Sequence, residues 1–277
     1  MSVGLFIAVG IVLVAAGGLP WLAVLANAEI RRLRASVLGA RKEPPSARVP
    51  AQLATLAERF GPIPEGAVAL CLRQTGEMRL SPTGDWLPFR AEAVFSLDAV
   101  AFVWDAWVRM MPGVRVRVMD AYDGTRGILC VRLFGIVPVV VARGADIDRA
   151  EVQRYIAELA WNPVAFNRNG ALAIAGQGAN EYAVHYSGDP STRVDLRLAE
   201  DGTIAETYTD ARPMRAGGET VERPWAGDFS GWGTVGAFAM PRRGRVSWLL
   251  PGGEYEYWRG DIRQAVFLDA DGNALSP

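Results

Sequence analysis

The chain has 277 residues, half of them hydrophobic, and a formal net charge of −1. Such a balance argues against a nucleic-acid partner, because a surface that tracks phosphates needs a basic excess. One histidine and two cysteines exclude a multi-histidine or cysteine-built zinc site, so no metal centre is expected.

Residues 1–28 carry no charge, and "VGLFIAVGIVLVAAGGLPWLAVLA" is almost wholly apolar. About 20 such residues span a bilayer, so this segment is expected to be an uncleaved transmembrane anchor. A cleaved signal peptide is the rival, since "ANA" at 26–28 suits a cleavage site, but no Lys or Arg precedes the apolar run. Arg31, Arg32, Arg34, Arg41 and Lys42 follow it. The positive-inside rule then favours a single-pass inner-membrane protein with its domain in the cytoplasm. Residues 29–50, ending in "KEPPSARVP", read as a basic, proline-rich linker.

The remainder, 51–277, reads as a single β-rich domain. Leu53, Leu56 and Ala57 have helical spacing before the stop at Gly61–Pro62. Strands follow: "VALCLRQTGEMRL", "PFRAEAVFSL" and "AFVWDAWVRM". The clearest period-two signal is in "VRVRVMD", where Val114, Val116 and Val118 oppose Arg115 and Arg117. Turns are expected at Asp123–Gly124, Asp201–Gly202 and Gly252–Gly253. Cys71 and Cys130 sit in strand-like apolar runs and are expected to be inert core residues. Many antiparallel strands with few helices predict a mainly β fold (α+β): a large curved antiparallel sheet or half-barrel covered by a helix.

That helix lies in "DIDRAEVQRYIAELAWNPVAF". Asp146 is placed to cap it, and Asn162–Pro163 to end it. At 100° per residue Val152, Tyr155, Ile156 and Leu159 share one side, while Arg154, Glu158 and Trp161 lie nearly opposite. The second side meets either solvent, making Arg154–Glu158 an ordinary surface pair, or the polar end of a ligand in a cavity.

These residues also carry a resemblance. "RYIAELAWNPVAF", with "GEMRL…WLPFRA" and "LFGIVPVV" upstream and "RPW" downstream, resembles a bacterial family of membrane-anchored proteins catalogued only as a domain of unknown function. The likeness runs from about Ala51 to Leu268 through Gly76, Met78, Arg79, Trp86, Pro88 and Phe89, then Phe134, Gly135 and Pro138. It continues through Arg154, Tyr155, Glu158, Trp161 and Pro163 to Pro224 and Trp225. The family implies no reaction. By analogy its strand-rich pattern is similar to the half-barrel of lipoprotein carriers, whose concave face holds acyl chains.

Acid–base chemistry has four candidates: Asp105 within an aromatic strand, Glu158, Tyr155, and His185, which alternation places on one face with Glu181. Arg154, Tyr155, Glu158, Trp161 and Trp107 are the expected ligand-binding residues. No G-x-G-x-x-G, G-x-S-x-G or Ser-x-x-Lys motif is present, so no cofactor is expected. The expectation is a bilayer-anchored binder of a lipid-like ligand. An isomerase, cyclase or hydrolase of an apolar substrate, and a non-catalytic membrane scaffold, are the alternatives. Nothing in the residues sets an oligomeric state.

Overall fold

The computed structural model describes residues 19–41, 44–45, 48–216 and 219–276. Two antiparallel meanders build one sheet. The first is β1 (Ala69–Met78), β2 (Leu87–Ser96), β3 (Phe102–Met111), β4 (Val114–Tyr122), β5 (Gly127–Leu133) and β6 (Val137–Ala142). The second is β7 (Leu172–Gly176), β8 (Glu181–Tyr186), β9 (Asp189–Leu198), β10 (Ile204–Ala216), β11 (Glu219–Val235), β12 (Phe238–Leu250) and β13 (Gly253–Leu268). A short β14 (Ala274–Leu275) pairs with β13. The expected turn glycines Gly124, Gly202 and Gly253 all adopt positive φ.

The strand order is β6-β5-β4-β3-β2-β1-β13-β12-β11-β10-β9-β8-β7. The first and last long strands therefore meet in the middle, and β6 and β7 form the two edges. The chain has to travel from one edge to the other, and it does so across one face. That crossing contains α3 (Ala145–Ala157), a 3-10 turn (Glu158–Ala160) and the short α4 (Ala165–Arg168). The curled sheet with this helix across it is the half-barrel that the strand pattern predicted.

Alternation along each strand separates two cores. The inner face, with Leu72, Phe89, Trp104, Val118 and Trp258, packs against α3 and α2 (Ala51–Arg59). The outer face of the first meander, with Cys71, Val94, Val103, Met119 and Cys130, packs against α1 (Leu19–Gly39). Both cysteines are buried and free.

Of the linker expected at 29–50, residues 29–39 belong to helix α1. Ile30, Leu33 and Val37 recur at helical spacing and are buried on the outer face. Glu29 pairs with Arg132 and Arg143, and Arg34 with Glu92. Proline and charge dominated the sequence reading there and masked a three-residue apolar stripe. Most of the span expected at 1–28 lies outside the described residues. Among the described residues no helix is long and apolar enough to cross a membrane.

Candidate functional site

The register of the central strands prepares the inner face. Phe89, Gly76, Gly260, Gly244 and Phe229 stand in one cross-strand row over β2, β1, β13, β12 and β11. The three adjacent glycines leave a trough that large rings fill. A Cβ on Gly244 would sit 2.7 Å from the Trp161 ring, one on Gly260 2.6 Å from Trp258, and one on Gly76 2.8 Å from Phe89. Trp161 meets Phe229 edge-on at 5.0 Å and Trp258 at 6.1 Å, and Phe89 stacks on Trp258 at 5.5 Å. Its indole N–H donates to the Pro241 carbonyl at 2.9 Å. The inner face under the end of α3 is thus filled with aromatic side chains.

Beside this wall lies a buried cluster of charges. The Arg154 guanidinium donates to Glu158 at 2.6 Å and to Asp120 of β4, and the Arg154 and Glu158 side chains are only 13% and 11% exposed. Arg154 lies over the Trp104 ring at 4.8 Å, and Arg212 of β10 over Trp225 at 4.4 Å. Arg212 also donates to the Ala150 carbonyl. Trp225 donates to the Tyr257 hydroxyl at 3.1 Å, and Gln153 to Thr209 at 3.2 Å. Both sides of α3 are therefore buried. Its neighbours are β4 and β5 on one flank and β9 and β10 on the other.

Burial raises all three carboxyl groups. Glu151 is pushed up to about 8 by desolvation and by the Asp120 carboxylate, against the pull of Arg212 and Arg154. Asp120 and Glu158 rise for the same first reason, and Arg154 offsets part of it. Desolvation likewise raises Tyr257. Protonated Glu151 thus sits beside two further carboxyl groups, Asp120 and Glu158, and two guanidiniums, Arg154 and Arg212. In this cluster four buried oxygens have no partner among the described residues: Asp120 Oδ1, Glu151 Oε2, Glu158 Oε2 and Gln153 Oε1. Such atoms are costly to bury and call for hydrogen-bond donors.

The sequence-predicted residues divide among four places. Arg154 and Glu158 are in the cluster, with Trp161 against the neighbouring aromatic wall. Tyr155 is turned away: its hydroxyl donates to Ser96 O at 2.9 Å and accepts from Asn169 at 3.2 Å. Asp105 and Trp107 lie on the outer face. There Asp105 takes a two-pronged bond from Arg117 at 2.6 and 2.7 Å, and Trp107 stacks beneath Arg115 at 4.4 Å. His185 sits on β8 with Nδ1 3.2 Å from Pro190 O, facing no other candidate. The acid–base group does not converge on one void. Asp146 leaves the start of α3 uncapped; Gly144 holds that position, and Asp148 accepts from the Gly127 N–H at 2.6 Å.

Sequence reasoning missed Asp120, Glu151, Gln153, Arg212 and Tyr257. One signal was available: Asp120 continues the series Val114, Val116, Val118 and so puts a carboxylate on the apolar face of its strand. A groove of about 930 Å³ crosses the central strands along the same row, lined by Gly76, Gly244 and Gly260 together with residues such as Thr75, Glu77, Arg90, Arg243 and Asp261. Its charges are mostly paired, as in Arg259–Glu77 and Arg263–Asp261, which suits a solvated face. Among the described residues no cluster of ligating side chains could hold a metal ion.

Residues 60–267 match a family described as a family of unknown function, DUF6920. No curated protein matches the chain. Among solved structures, a LolA-superfamily protein of Nitrosomonas europaea aligns at TM-score 0.43 and 11% identity, covering 79% of this chain and 93% of its own. A structure described as an outer membrane lipoprotein-sorting protein domain from Vibrio parahaemolyticus aligns at 0.42 and 9%, covering 78% and 91%. A DUF1329 family protein of Desulfovibrio piger aligns at 0.41 and 11%, covering 78% and 90%.

Proposed function

Because the chain belongs to the DUF6920 family, whose description carries no activity, we propose its function from the inner face alone: the half-barrel binds an amphiphile. The apolar part lies along the wall of Phe89, Trp258 and Phe229, and the polar end meets the cluster of Asp120, Glu151, Arg154 and Glu158. Residues 1–28 tether the domain to the bilayer and keep the lipid supply at high local concentration. The observation that carries this reading is the set of unpaired acceptors in an aromatic interior. A purely structural core gains nothing from them, since apolar residues of equal volume are often as stable or more so.

The chemistry of those atoms narrows the ligand. Asp120 Oδ1, Glu158 Oε2 and Gln153 Oε1 accept hydrogen bonds, so the polar end they suit carries donors, such as an amine or a polyol, while protonated Glu151 can itself donate. A phosphate or carboxylate would meet them with repulsion. The wall is closed in this conformation, so uptake requires Glu158–Trp161 to move off Gly244. The helical ladder already changes to 3-10 bonding over Glu158–Ala160.

Turnover of the bound molecule is a second reading, favoured by Glu151 alone. A carboxyl group protonated near neutral pH beside other carboxyl groups can supply a general acid. Asp105 and His185 have no place in it.

Native mass spectrometry of the detergent-extracted full chain, with lipid extraction of what co-purifies, tests the proposal. The expected result is one class of amphiphile with a donor-bearing head, weakened in Glu158→Gln and in Trp161→Phe. A bare chain mass across several detergents, with the fold intact by circular dichroism, would overturn it.

A further inference from the structure

One end of the sheet differs from the other. The hairpin tips β1–β2, β3–β4 and β5–β6 each expose a large apolar side chain: Leu80 at 64%, Met111 at 48% and Phe134 at 41%. Leu249, beside the β12–β13 turn, adds a fourth. The loops at the opposite end expose only Ile63 of that class among the described residues.

Helix α1 runs towards the apolar end as it is followed back to its start. Ala40 accepts from Ser96 at the far end, Arg34 pairs with Glu92, and Asn27 accepts from Arg117. At about 1.5 Å per residue, Trp21 lies about 9 Å beyond Asn27, near the level of the tips. Trp21, at 74%, Val24 and Leu25 are exposed there. The eighteen residues that precede Leu19 contain no charge.

Two features show that this end is built for a purpose other than solvent. Phe134 is the only non-glycine with positive φ among the described residues, at 53°. A strained backbone that presents an aromatic ring outwards is unfavourable twice over. It is held in place by Gly135, which packs on the Trp107 ring, itself covered by Arg115. Next, Arg109 and Arg115 are direct cross-strand partners, and neither has a carboxylate partner among the described residues. Like charges in that position repel and ask for an anion between them.

We propose that this end of the half-barrel docks on an anionic phospholipid surface, with Leu80, Met111 and Phe134 entering the interface and Arg109 and Arg115 taking lipid phosphates. This rests on the proposed tether, which would bring the bilayer near the start of α1; the tips give the domain a second, composition-sensitive hold. Exposed apolar side chains beside guanidiniums that face no carboxylate among the described residues are the arrangement that interfacial binding uses. The surface does not depend on what the inner face binds.

The test is amide hydrogen exchange of the full chain reconstituted in bilayers of phosphatidylcholine alone and of phosphatidylcholine with phosphatidylglycerol at 3:1. Expected is slower exchange at 109–115 and 132–137 in the anionic bilayer, with the loop around Ile63 unchanged. Arg109→Ala with Arg115→Ala should weaken docking about twenty-fivefold, given about a fivefold loss for each basic group. Phe134→Gly should lose protection at the tips while the melting temperature holds or rises, an outcome that a merely structural Phe134 would not produce. Identical exchange in both bilayers would overturn the proposal. So would protection that ignores lipid composition and fades on dilution, which would indicate self-association.

Discussion

Burial and the Asp120 carboxylate hold Glu151 up to about 8, so between its ordinary 4.5 and that figure the folded chain carries a proton that the unfolded chain lacks. A raised carboxyl pKa stabilises the fold fully below the unfolded value, and the contribution is lost as pH rises through the folded one. Stability should therefore fall between about pH 4.5 and 8, by at most about 1.4 kcal/mol per unit from this group. Denaturant titrations at several pH values should show Glu151→Gln with a flatter profile than the parent. At pH 9 the variant should equal or exceed it. Arg154 is the opposite kind of residue. Arg154→Met leaves Asp120 and Glu158 buried without their cation and should cost about 3–5 kcal/mol. The same chemical denaturation measures it.

The glycine row and α1 act as elements. At Gly244 a methyl group would strike a Trp161 ring held by its bond to Pro241, so Gly244→Ala should cost about 1–3 kcal/mol through overpacking. Pairing it with Trp161→Phe, which shortens the ring, should recover part of the loss; full additivity would mean that the two do not touch. Helix α1 covers the outer core with Leu33 and Val37. Leu33→Ala should cost about 2–5 kcal/mol in thermal or chemical melts, as expected for a core position and not for a linker.

At the scale of the whole molecule, β1 and β13 meet over ten residue pairs at the centre of the sheet. Each meander alone leaves that long central edge unpaired. A chain ending at Pro251, without β13, should therefore lose both halves together, read as loss of near-ultraviolet dichroism and rapid proteolysis. The closure also joins strands almost two hundred residues apart in sequence, so refolding should be slow for a chain of this size.

Local chemistry alone was enough to read much of this architecture. Alternation in Val114–Val118, the Asp-Gly and Gly-Gly turns, and the period of Val152–Leu159 each depend on neighbours a few residues away, and strands, hairpins and helix fall where those patterns place them. A helix ladder also brings Arg154 next to Glu158 whatever else the chain does. What surrounds that pair is a different matter. Asp120 arrives from β4, Arg212 from β10, Tyr257 from β13 and the glycine trough from three strands, and they meet only because the first and last strands pair. Burial then turns a surface-like ion pair into a desolvated cluster. Desolvation belongs to all the atoms around a group, and no window of sequence contains them.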